Sequence, residues 1–295
     1  MRKVYPVRVT DIANTILQAR GLAFTVRTAG PPSGPPVLLL HGFPETSAMW
    51  APLMGGLAAA GYACAAPDQR GYSGGARPAG VAAYSYDELT ADVLALADAL
   101  GWERFHLVAH DWGAGVGWLA VKRAPGRIAS YTALSIPHYR AFAEATWEDA
   151  DAEGYRRFLR LVLAPDGAAE RVLTRDDFAS FRGIWKGDAG LVDAYLEVLR
   201  EPAAFTAMLD WYRASDGHRA LLGKPAEASD QVSTPTLLLW GRDDPYARSG
   251  SLRRAQAYMQ GPYRALELDA GHWLAQEAPD VVRREVLAHL AAYPL

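Results

Sequence analysis

Short apolar runs alternate with amphipathic stretches over most of this 295-residue chain. Runs of this length and composition predict strands that are buried on both faces. The seven clearest are residues 22–27, 37–40, 62–66, 105–109, 130–134, 236–240 and 264–268. Because helical patterns fill most of the intervals, the chain is predicted to have an α/β fold, with a mostly parallel central sheet flanked by helices.

The clearest helix is predicted over residues 86–100, where Leu89 and Val93 lie one turn apart on an apolar face. Ser85 precedes this helix and Glu88 follows three residues later, which is the pattern of a capping box. We therefore expect Ser85 to cap the first turn and Glu88 to reach back to it.

The alternation stops between residues 138 and 229, where strand patterns are missing and helical patterns continue. The helical segments are 153–163, 191–199 and 205–214. We therefore predict a helical insertion, residues 138–229, within a core of residues 1–137 and 230–295. Some aromatic residues of the insertion either wall an apolar pocket or hold the insertion on the core: Phe158, Phe178, Phe181, Trp185 and Trp211.

Composition narrows the class of protein. Half of the residues are apolar, which is enough for a large core, and a formal charge of −3 favours neither nucleic acid nor an anionic membrane as a partner. The first twenty residues include several charges, so we expect neither a signal peptide nor a membrane span there. Cys64 is the only cysteine, and we expect it to be a buried thiol. The expected location is the cytoplasm.

Residues 109–113 read Ala-His-Asp-Trp-Gly and end the apolar run that starts at residue 105. Small residues at both ends of such a segment predict a sharp turn from strand to helix that exposes the central side chain. The small ends are needed because the two backbones approach closely there. The central residue is Asp111, whose carboxylate can attack carbon and leave an alkyl ester on the enzyme. The alternative is that Asp111 caps the following helix.

Two later strand ends carry the partners that such a nucleophile needs. Asp243 and Asp244 follow the strand at 236–240, and His272 follows the strand at 264–268. Nucleophile, acid and histidine therefore occur in the chain order of the α/β-hydrolase triad.

An oxyanion pocket is predicted from an earlier strand end. Gly42 follows the strand at 37–40 and lets the backbone turn, so that the N–H of Phe43 faces the space above Asp111. Together with the N–H of Trp112 it would provide two donors for a developing oxyanion.

The chain resembles the α/β-hydrolase superfamily and, within it, the branch of epoxide hydrolases and haloalkane dehalogenases. The resemblance rests on four segments in family order: 41–45 (HGFPE), 68–73 (DQRGYS), 110–114 (HDWGA) and 271–273 (GHW). It implies Asp111 as nucleophile and His272 as base. The family pattern Gly-X-X-Asp implies Asp244 as the acid, with Asp243 a solvated neighbour. It also implies that the helical insertion is a cap over the active site.

The two activities of this branch differ in how the leaving group is stabilised. Haloalkane dehalogenases bind the halide through side-chain N–H groups, typically from the tryptophan after the nucleophile, here Trp112, and from a second donor. That second donor often follows the His-Gly pair, where this chain has Phe43, which has no side-chain donor. The resemblance therefore favours an epoxide as the substrate.

Epoxide hydrolases protonate the epoxide oxygen with two cap tyrosines, one of which lies in a Trp-Tyr-Arg-like segment. Tyr212 matches that segment, at residues 211–213. For the second tyrosine the best candidate is Tyr155, followed by Tyr139 and Tyr195. The chain departs from the animal-type motif at the second position.

The predicted reaction is hydrolysis of an epoxide to a vicinal diol through an alkyl ester on Asp111. A haloalkane dehalogenase with the same triad is the main alternative, and a ligand-binding protein on this fold is the non-enzymatic one. A carboxylester hydrolase is disfavoured because Asp111 lacks the hydroxyl that an acyl-enzyme requires. No cofactor and no metal are expected, and the partner is a small, apolar to moderately polar organic substrate. A homodimer is compatible with the sequence.

Overall fold

The computed structural model describes residues 12–148, 152–165, 167–215 and 230–295. Within these ranges eight strands form one sheet. They are β1 (Ala13–Ala19), β2 (Leu22–Ala29), β3 (Pro36–Leu40), β4 (Ala63–Pro67), β5 (Phe105–His110), β6 (Ile128–Leu134), β7 (Thr236–Gly241) and β8 (Tyr263–Leu268). The predicted α/β fold is confirmed, and β1 is the strand that the sequence pattern missed.

The strands lie in the order β1-β2-β4-β3-β5-β6-β7-β8. β1 and β2 form an antiparallel pair, β2 is antiparallel to β4, and the remaining neighbours are parallel. The central strands β3, β5, β6 and β7 are buried, as is usual for a parallel sheet covered on both faces. β1 is an edge strand with mostly exposed side chains, so it lacks the apolar run that marks the other strands.

The helices follow the strands in the alternation that the sequence predicts. In chain order they are α1 (Ala51–Ala59), α2 (Tyr86–Ala99), α3 (Trp112–Arg123), α4 (Tyr139–Glu148), α5 (Glu153–Leu163), α6 (Ala168–Leu173), α7 (Arg175–Arg182), α8 (Ala189–Leu199), α9 (Pro202–Ala214), α10 (Ser249–Ala255), α11 (Leu274–Glu277) and α12 (Pro279–Ala292). Short 3₁₀ segments are Ser47–Trp50, Val81–Tyr84 and Gln256–Tyr258.

Helices α4 to α9 belong to the helical insertion between β6 and β7, and its described part contains no strand. Three of them cover the segments with helical patterns. α5 has the predicted bounds, while α8 and α9 begin two and three residues earlier than predicted. Pro202 opens α9, where its missing N–H costs no hydrogen bond. The exact division into core and insertion stays a prediction.

Only half of the predicted capping box is present at the start of α2. The Ser85 hydroxyl accepts the N–H of Glu88 (3.4 Å), as expected. The carboxylate of Glu88 pairs with Arg20 (2.8 Å), and the N–H of Ser85 donates to the carbonyl of Ala82. The predicted reciprocal bond from Glu88 was therefore wrong, because Arg20, in the turn between β1 and β2, binds the same carboxylate.

The parallel strands bring the predicted motifs to one edge of the sheet. β3, β5, β7 and β8 point the same way, so their carboxyl ends lie side by side. The segments after these ends contain Phe43, Asp111, Asp244 and His272. Ligands of open α/β sheets bind at this edge. In the described ranges, every helix falls short of the length and apolarity that crossing a bilayer requires.

Candidate active site

The turn between β5 and α3 holds Asp111 in a backbone conformation that L-residues rarely adopt, with φ 49° and ψ −120°. The loop after β3 approaches this turn so closely that a glycine is required in each of the two segments. A Cβ at Gly113 would lie 2.5 Å from the carbonyl oxygens of Leu40 and His41, and a Cβ at Gly42 would overlap the Asp111 side chain. These contacts are the physical reason for the small residue at the end of the 109–113 segment.

The Asp111 side chain does not cap α3. The N–H of Phe43 donates to Oδ1 of Asp111 (2.8 Å), and the N–H of Trp112 also hydrogen-bonds the carboxylate. The other oxygen, Oδ2, lies 3.3 Å from Nε2 of His272. The two N–H groups predicted to bind an oxyanion therefore converge on the nucleophile candidate itself.

His272 joins the two carboxylates. Its Nδ1 lies 2.8 Å from Oδ2 of Asp244, and both residues are buried. The N–H groups of Tyr246 and Ala247 donate to Oδ1 of Asp244 (2.7 and 2.9 Å), which fixes this carboxylate toward the imidazole. Asp243, which was expected to be a solvated neighbour, is exposed. The structure thus places Asp244, and not Asp243, against His272.

The electrostatics favour a charged pair in the resting site. For His272, burial opposes protonation, but the negative charges of Asp244 and Asp111 and their hydrogen bonds raise the pKa to about 10. For Asp111, burial opposes ionisation, yet the hydrogen bond and charge of His272 leave its pKa below the ordinary value. A carboxylate on Asp111 and an imidazolium on His272 therefore face each other.

The backbone of His272 is held by polar groups at the ends of two other strands. Nε2 of His110 lies 2.9 Å from the His272 carbonyl oxygen, and the Ser135 hydroxyl donates to the same oxygen (2.6 Å). Nδ1 of His110 lies 2.9 Å from Oε2 of buried Glu45, without the alignment of a hydrogen bond, and the Tyr195 hydroxyl donates to Oε1 of Glu45 (2.9 Å). Sequence reasoning missed the role of Glu45, although it lies in the HGFPE segment.

A cavity of about 320 Å³ is bounded by Asp111 and His272. Among the described residues of its wall, the other polar groups are three tyrosine phenols, the Ser180 hydroxyl and the indole N–H of Trp273. The apolar wall residues are Phe43, Pro44, Ile136, Phe142, Phe158, Leu173, Phe181, Ile184 and Pro245. The nucleophile candidate and the histidine therefore meet a space suited to an apolar organic molecule.

Tyr155 and Tyr212 both line this cavity. The ring of Tyr212 packs edge-on against Phe43 and Trp112, with centroids 5.3 and 4.7 Å apart. Burial, reinforced by the charge of Asp111, raises the pKa of both phenols well above the ordinary value. Both phenols therefore remain protonated at neutral pH and can serve as hydrogen-bond donors.

The two further tyrosine candidates lie elsewhere. The Tyr195 hydroxyl is committed to Glu45, and the ring of Tyr139 stacks on His138 with centroids 4.4 Å apart. Among the three candidates for the second tyrosine, Tyr155 is the one that borders the cavity.

Of the five aromatic residues singled out in the helical insertion, some line the cavity and others pack away from it. Phe158 and Phe181 line the cavity. Phe178, Trp185 and Trp211 are buried away from it, and the indole N–H of Trp211 donates to the carbonyl of Arg70 (3.0 Å). The last contact ties α9 to a loop of the core.

Sequence reasoning missed Tyr246, the third phenol of the cavity. Its ring meets that of His272 edge to face, with centroids 4.8 Å apart. Its position two residues after Asp244 could have indicated it, because a residue so near the acid can also contact the histidine that the acid binds.

No group of three or more His, Cys, Asp or Glu side chains is placed to hold a metal ion within the residues described above.

Comparison with known proteins identifies the family. A family model described as alpha/beta hydrolase fold matches residues 35–279. Epoxide hydrolase A of Mycobacterium tuberculosis is 34% identical, with 95% of this chain and 98% of that protein covered. Epoxide hydrolase 4 of Mus musculus is 29% identical, with 92% and 77% covered.

The fold agrees with these relatives. The crystal structure of a Bacillus megaterium epoxide hydrolase in complex with an inhibitor superposes with a TM-score of 0.83 at 25% identity, covering 94% of this chain and all of that one (100%). The chain therefore belongs to the α/β-hydrolase family and is an epoxide hydrolase-like hydrolase.

Proposed function

We propose that this chain hydrolyses an epoxide to a vicinal diol through an alkyl ester on Asp111. The observation that carries the proposal is the placement of the Asp111 carboxylate, 3.3 Å from Nε2 of His272 and in one cavity with Tyr155 and Tyr212. A carboxylate nucleophile, a histidine base and two phenol donors are the groups that epoxide opening and ester hydrolysis need. The names of the relatives support the same activity.

In the first step Tyr212 and Tyr155 hydrogen-bond the epoxide oxygen while Asp111 attacks the less hindered ring carbon. The carbon–oxygen bond of the ring breaks as the ester bond forms. The developing alkoxide is more basic than a phenolate, so one phenol transfers its proton to it. Phe43 and Trp112 hold the Asp111 carboxylate through their N–H groups and so fix its direction of attack.

In the second step water hydrolyses the ester at its carbonyl carbon. His272, oriented by Asp244 through the 2.8 Å contact at Nδ1, removes a proton from this water. The carbonyl oxygen becomes an oxyanion that the N–H groups of Phe43 and Trp112 stabilise. Collapse of this intermediate releases the diol and restores the Asp111 carboxylate.

We also propose that the helical insertion, residues 138–229, acts as the cap of this site over a core of residues 1–137 and 230–295. The insertion contributes Tyr155 and Tyr212 together with part of the apolar wall. Among the described residues that line the cavity there is no Lys, Arg or Glu. The substrate is accordingly a small, neutral organic epoxide without a charged substituent.

Haloalkane dehalogenation is the second candidate, because Trp112 directly follows Asp111 as the halide-binding tryptophan does in that branch. Against it, the Trp112 side chain hydrogen-bonds Tyr212, and Phe43 has no side-chain donor for a halide.

A substrate panel tests the proposal. Styrene oxide, phenyl glycidyl ether and cyclohexene oxide are incubated with the enzyme beside phenethyl bromide and bromocyclohexane, and products are read by mass spectrometry. We expect diols from at least one epoxide and no alcohol or halide from the bromides. Halide release without diol formation would instead identify a dehalogenase.

A further inference from the structure

Strand β1 (Ala13–Ala19) forms one edge of the sheet, and most of its side chains are exposed. Ile16, at the centre of the strand, is 59% exposed, which is the highest value for a large apolar side chain in the described ranges. The strand contains no charged residue and no proline, two of the features by which proteins keep an exposed edge from pairing with another chain. Within the described part of the chain, only β2 pairs with β1.

The opposite edge of the sheet, β8, has such protection. Arg264 and Glu267 lie on this strand, and they pair with Glu285 (2.9 Å) and Arg242 (2.7 Å). Charged side chains on an edge strand discourage pairing between edges. Of the two edges, β1 is therefore the one suited to accept a further strand.

The hairpin between β1 and β2 determines which backbone groups of β1 face outward. Its two-residue loop, residues 20 and 21, has positive φ at both positions (51° and 73°), as a type I′ turn requires. Ala19, which ends β1, then exchanges hydrogen bonds with its partner on β2, and every second residue before it does the same. The N–H and C=O groups of Asn14, Ile16 and Gln18 therefore point away from β2, toward the open edge.

We propose that β1 pairs with β1 of a second copy of this chain, antiparallel and centred on Ile16. The three residues with outward backbone groups are symmetric about Ile16, so a two-fold axis at that residue provides a partner for each of them. Ile16 meets its own counterpart, and Asn14 meets Gln18 of the partner subunit. The two sheets then form one continuous sheet with twice the eight strands of a single chain.

The side chains of β1 favour a second copy as the occupant. Residues directly opposite each other in an antiparallel pair have Cβ atoms about 5 Å apart, so the two Ile16 side chains would cover each other. On the same face, the amide of Asn14 can exchange hydrogen bonds with that of Gln18. Because the strand is uncharged, its pairing with itself opposes no like charges. The strand is thus complementary to its own copy.

The size and position of this contact indicate a weak dimer that leaves the cavity open. Two paired strands of seven residues make a small interface, so we expect association to depend on concentration. The candidate site follows β3, β5, β7 and β8, and β2 and β4 separate β1 from the nearest of these strands. The inference is therefore independent of the proposed function.

Sedimentation velocity over a roughly thousandfold range of protein concentration provides the test. Ile16→Lys and Ile16→Glu each place like charges opposite each other across the two-fold axis. Val172→Lys is the matched control, because it adds a charge at an exposed apolar residue of α6, on another part of the surface. Circular dichroism spectra establish that each variant is folded.

We expect the wild type and Val172→Lys to change from monomer to dimer as the concentration rises. Each Ile16 variant alone should raise the dissociation constant of the dimer by roughly 10-fold or more, because the apolar contact is lost and like charges meet. An equimolar mixture of Ile16→Lys and Ile16→Glu should recover the dimer, since the introduced lysine then faces the introduced glutamate.

Three results would overturn the proposal. A wild type that is monomeric at every concentration would leave the edge to another occupant, such as residues 1–11 or a different protein. Dimerisation of Ile16→Lys at the wild-type concentration would place the interface on another surface. A mixture of the two Ile16 variants that stays monomeric would exclude the register centred on Ile16.

Discussion

Nε2 of His272 lies 3.3 Å from Oδ2 of Asp111, so the proposed base and nucleophile are in direct contact. The contact lies on the side of the carboxylate away from the oxygen that Phe43 holds. His272 can therefore reach water that approaches the ester carbonyl without displacing the groups that bind the oxyanion. This arrangement makes the two half-reactions separable by mutation.

Replacing His272 with Gln should permit ester formation and block ester hydrolysis. The peptide containing Asp111 should then gain the mass of the epoxide and retain it, whereas wild-type peptide should return to its original mass. A single wild-type turnover in H₂¹⁸O should place solvent oxygen mainly in Asp111, because the ester is cleaved at its carbonyl carbon. Solvent oxygen found first in the diol would contradict the assignment of Asp111 as nucleophile.

The acid can be tested with its own neighbour as the control. Asp244→Asn removes the charge beside Nδ1 of His272, and turnover should fall by orders of magnitude, in line with the ~10⁴-fold loss for an equivalent change in a serine triad. Asp243→Asn alters an exposed side chain and should cost little. Steady-state kcat/KM on a panel epoxide measures both, and a reversed ranking would mean that the other carboxylate is the acid.

Tyr212→Phe tests the choice of electrophile. The ring that packs on Phe43 and Trp112 is kept, so the fold should be nearly unchanged, but the alkoxide loses a donor. Ester formation from an epoxide should slow by roughly 10–10³-fold, with ester hydrolysis much less affected. Tyr155→Phe should add a comparable defect if the two phenols share the oxygen.

Rapid-quench measurement of the rate of ester formation in Tyr212→Phe and in the wild type tests this prediction. Dehalogenation needs no proton on the leaving halide, so it should hardly respond to the Tyr212 change. An epoxide rate equal to that of the wild type would remove Tyr212 from the mechanism.

The free energy of unfolding should fall as the pH rises, because the His272 imidazolium loses the proton that Asp244 and Asp111 stabilise. His272 has a pKa raised from 6.5 to about 10, since the attraction of Asp244 and Asp111 outweighs the effect of burial. The folded state therefore binds this proton more tightly than the unfolded state does. The resulting stabilisation is fully present below about pH 6.5 and is lost as the pH rises through about 10.

Urea unfolding midpoints across that window measure the effect. The His272→Gln variant lacks the titrating group, so its curve should be flatter than that of the wild type. Parallel curves for the two proteins would show that the pair does not titrate as described.

Local pattern was enough to locate residues whose position follows from a strand end. Asp111, Asp244 and His272 each come after a parallel strand, and parallel strands bring such ends together whatever the remaining sequence is. β1 was not predicted, because this exposed edge strand contains no apolar run. Glu88 was misassigned because its competitor, Arg20, is distant in sequence.

The same limit applies within the site. Ser135 and His110 contact the backbone of His272, and Glu45 lies against His110, through segments that are distant in sequence and that no spacing rule connects. Tyr246 lies beside the acid in sequence, but its contact with Tyr155 depends on where the helical insertion is placed. The contacts of these residues are set by packing between segments that are distant in sequence.

The two N–H groups that converge on the Asp111 carboxylate have a consequence for inhibition. An anion-binding site that already contains the enzyme's own anion is closed to competitors: chloride, acetate or phosphate from the medium would have to displace a covalently tethered carboxylate. In the proposed cycle the same two donors serve carboxylate, ester oxygen and oxyanion in turn, and the position is never empty. The enzyme should therefore tolerate high concentrations of simple anions, and its tightest inhibitors should be neutral molecules.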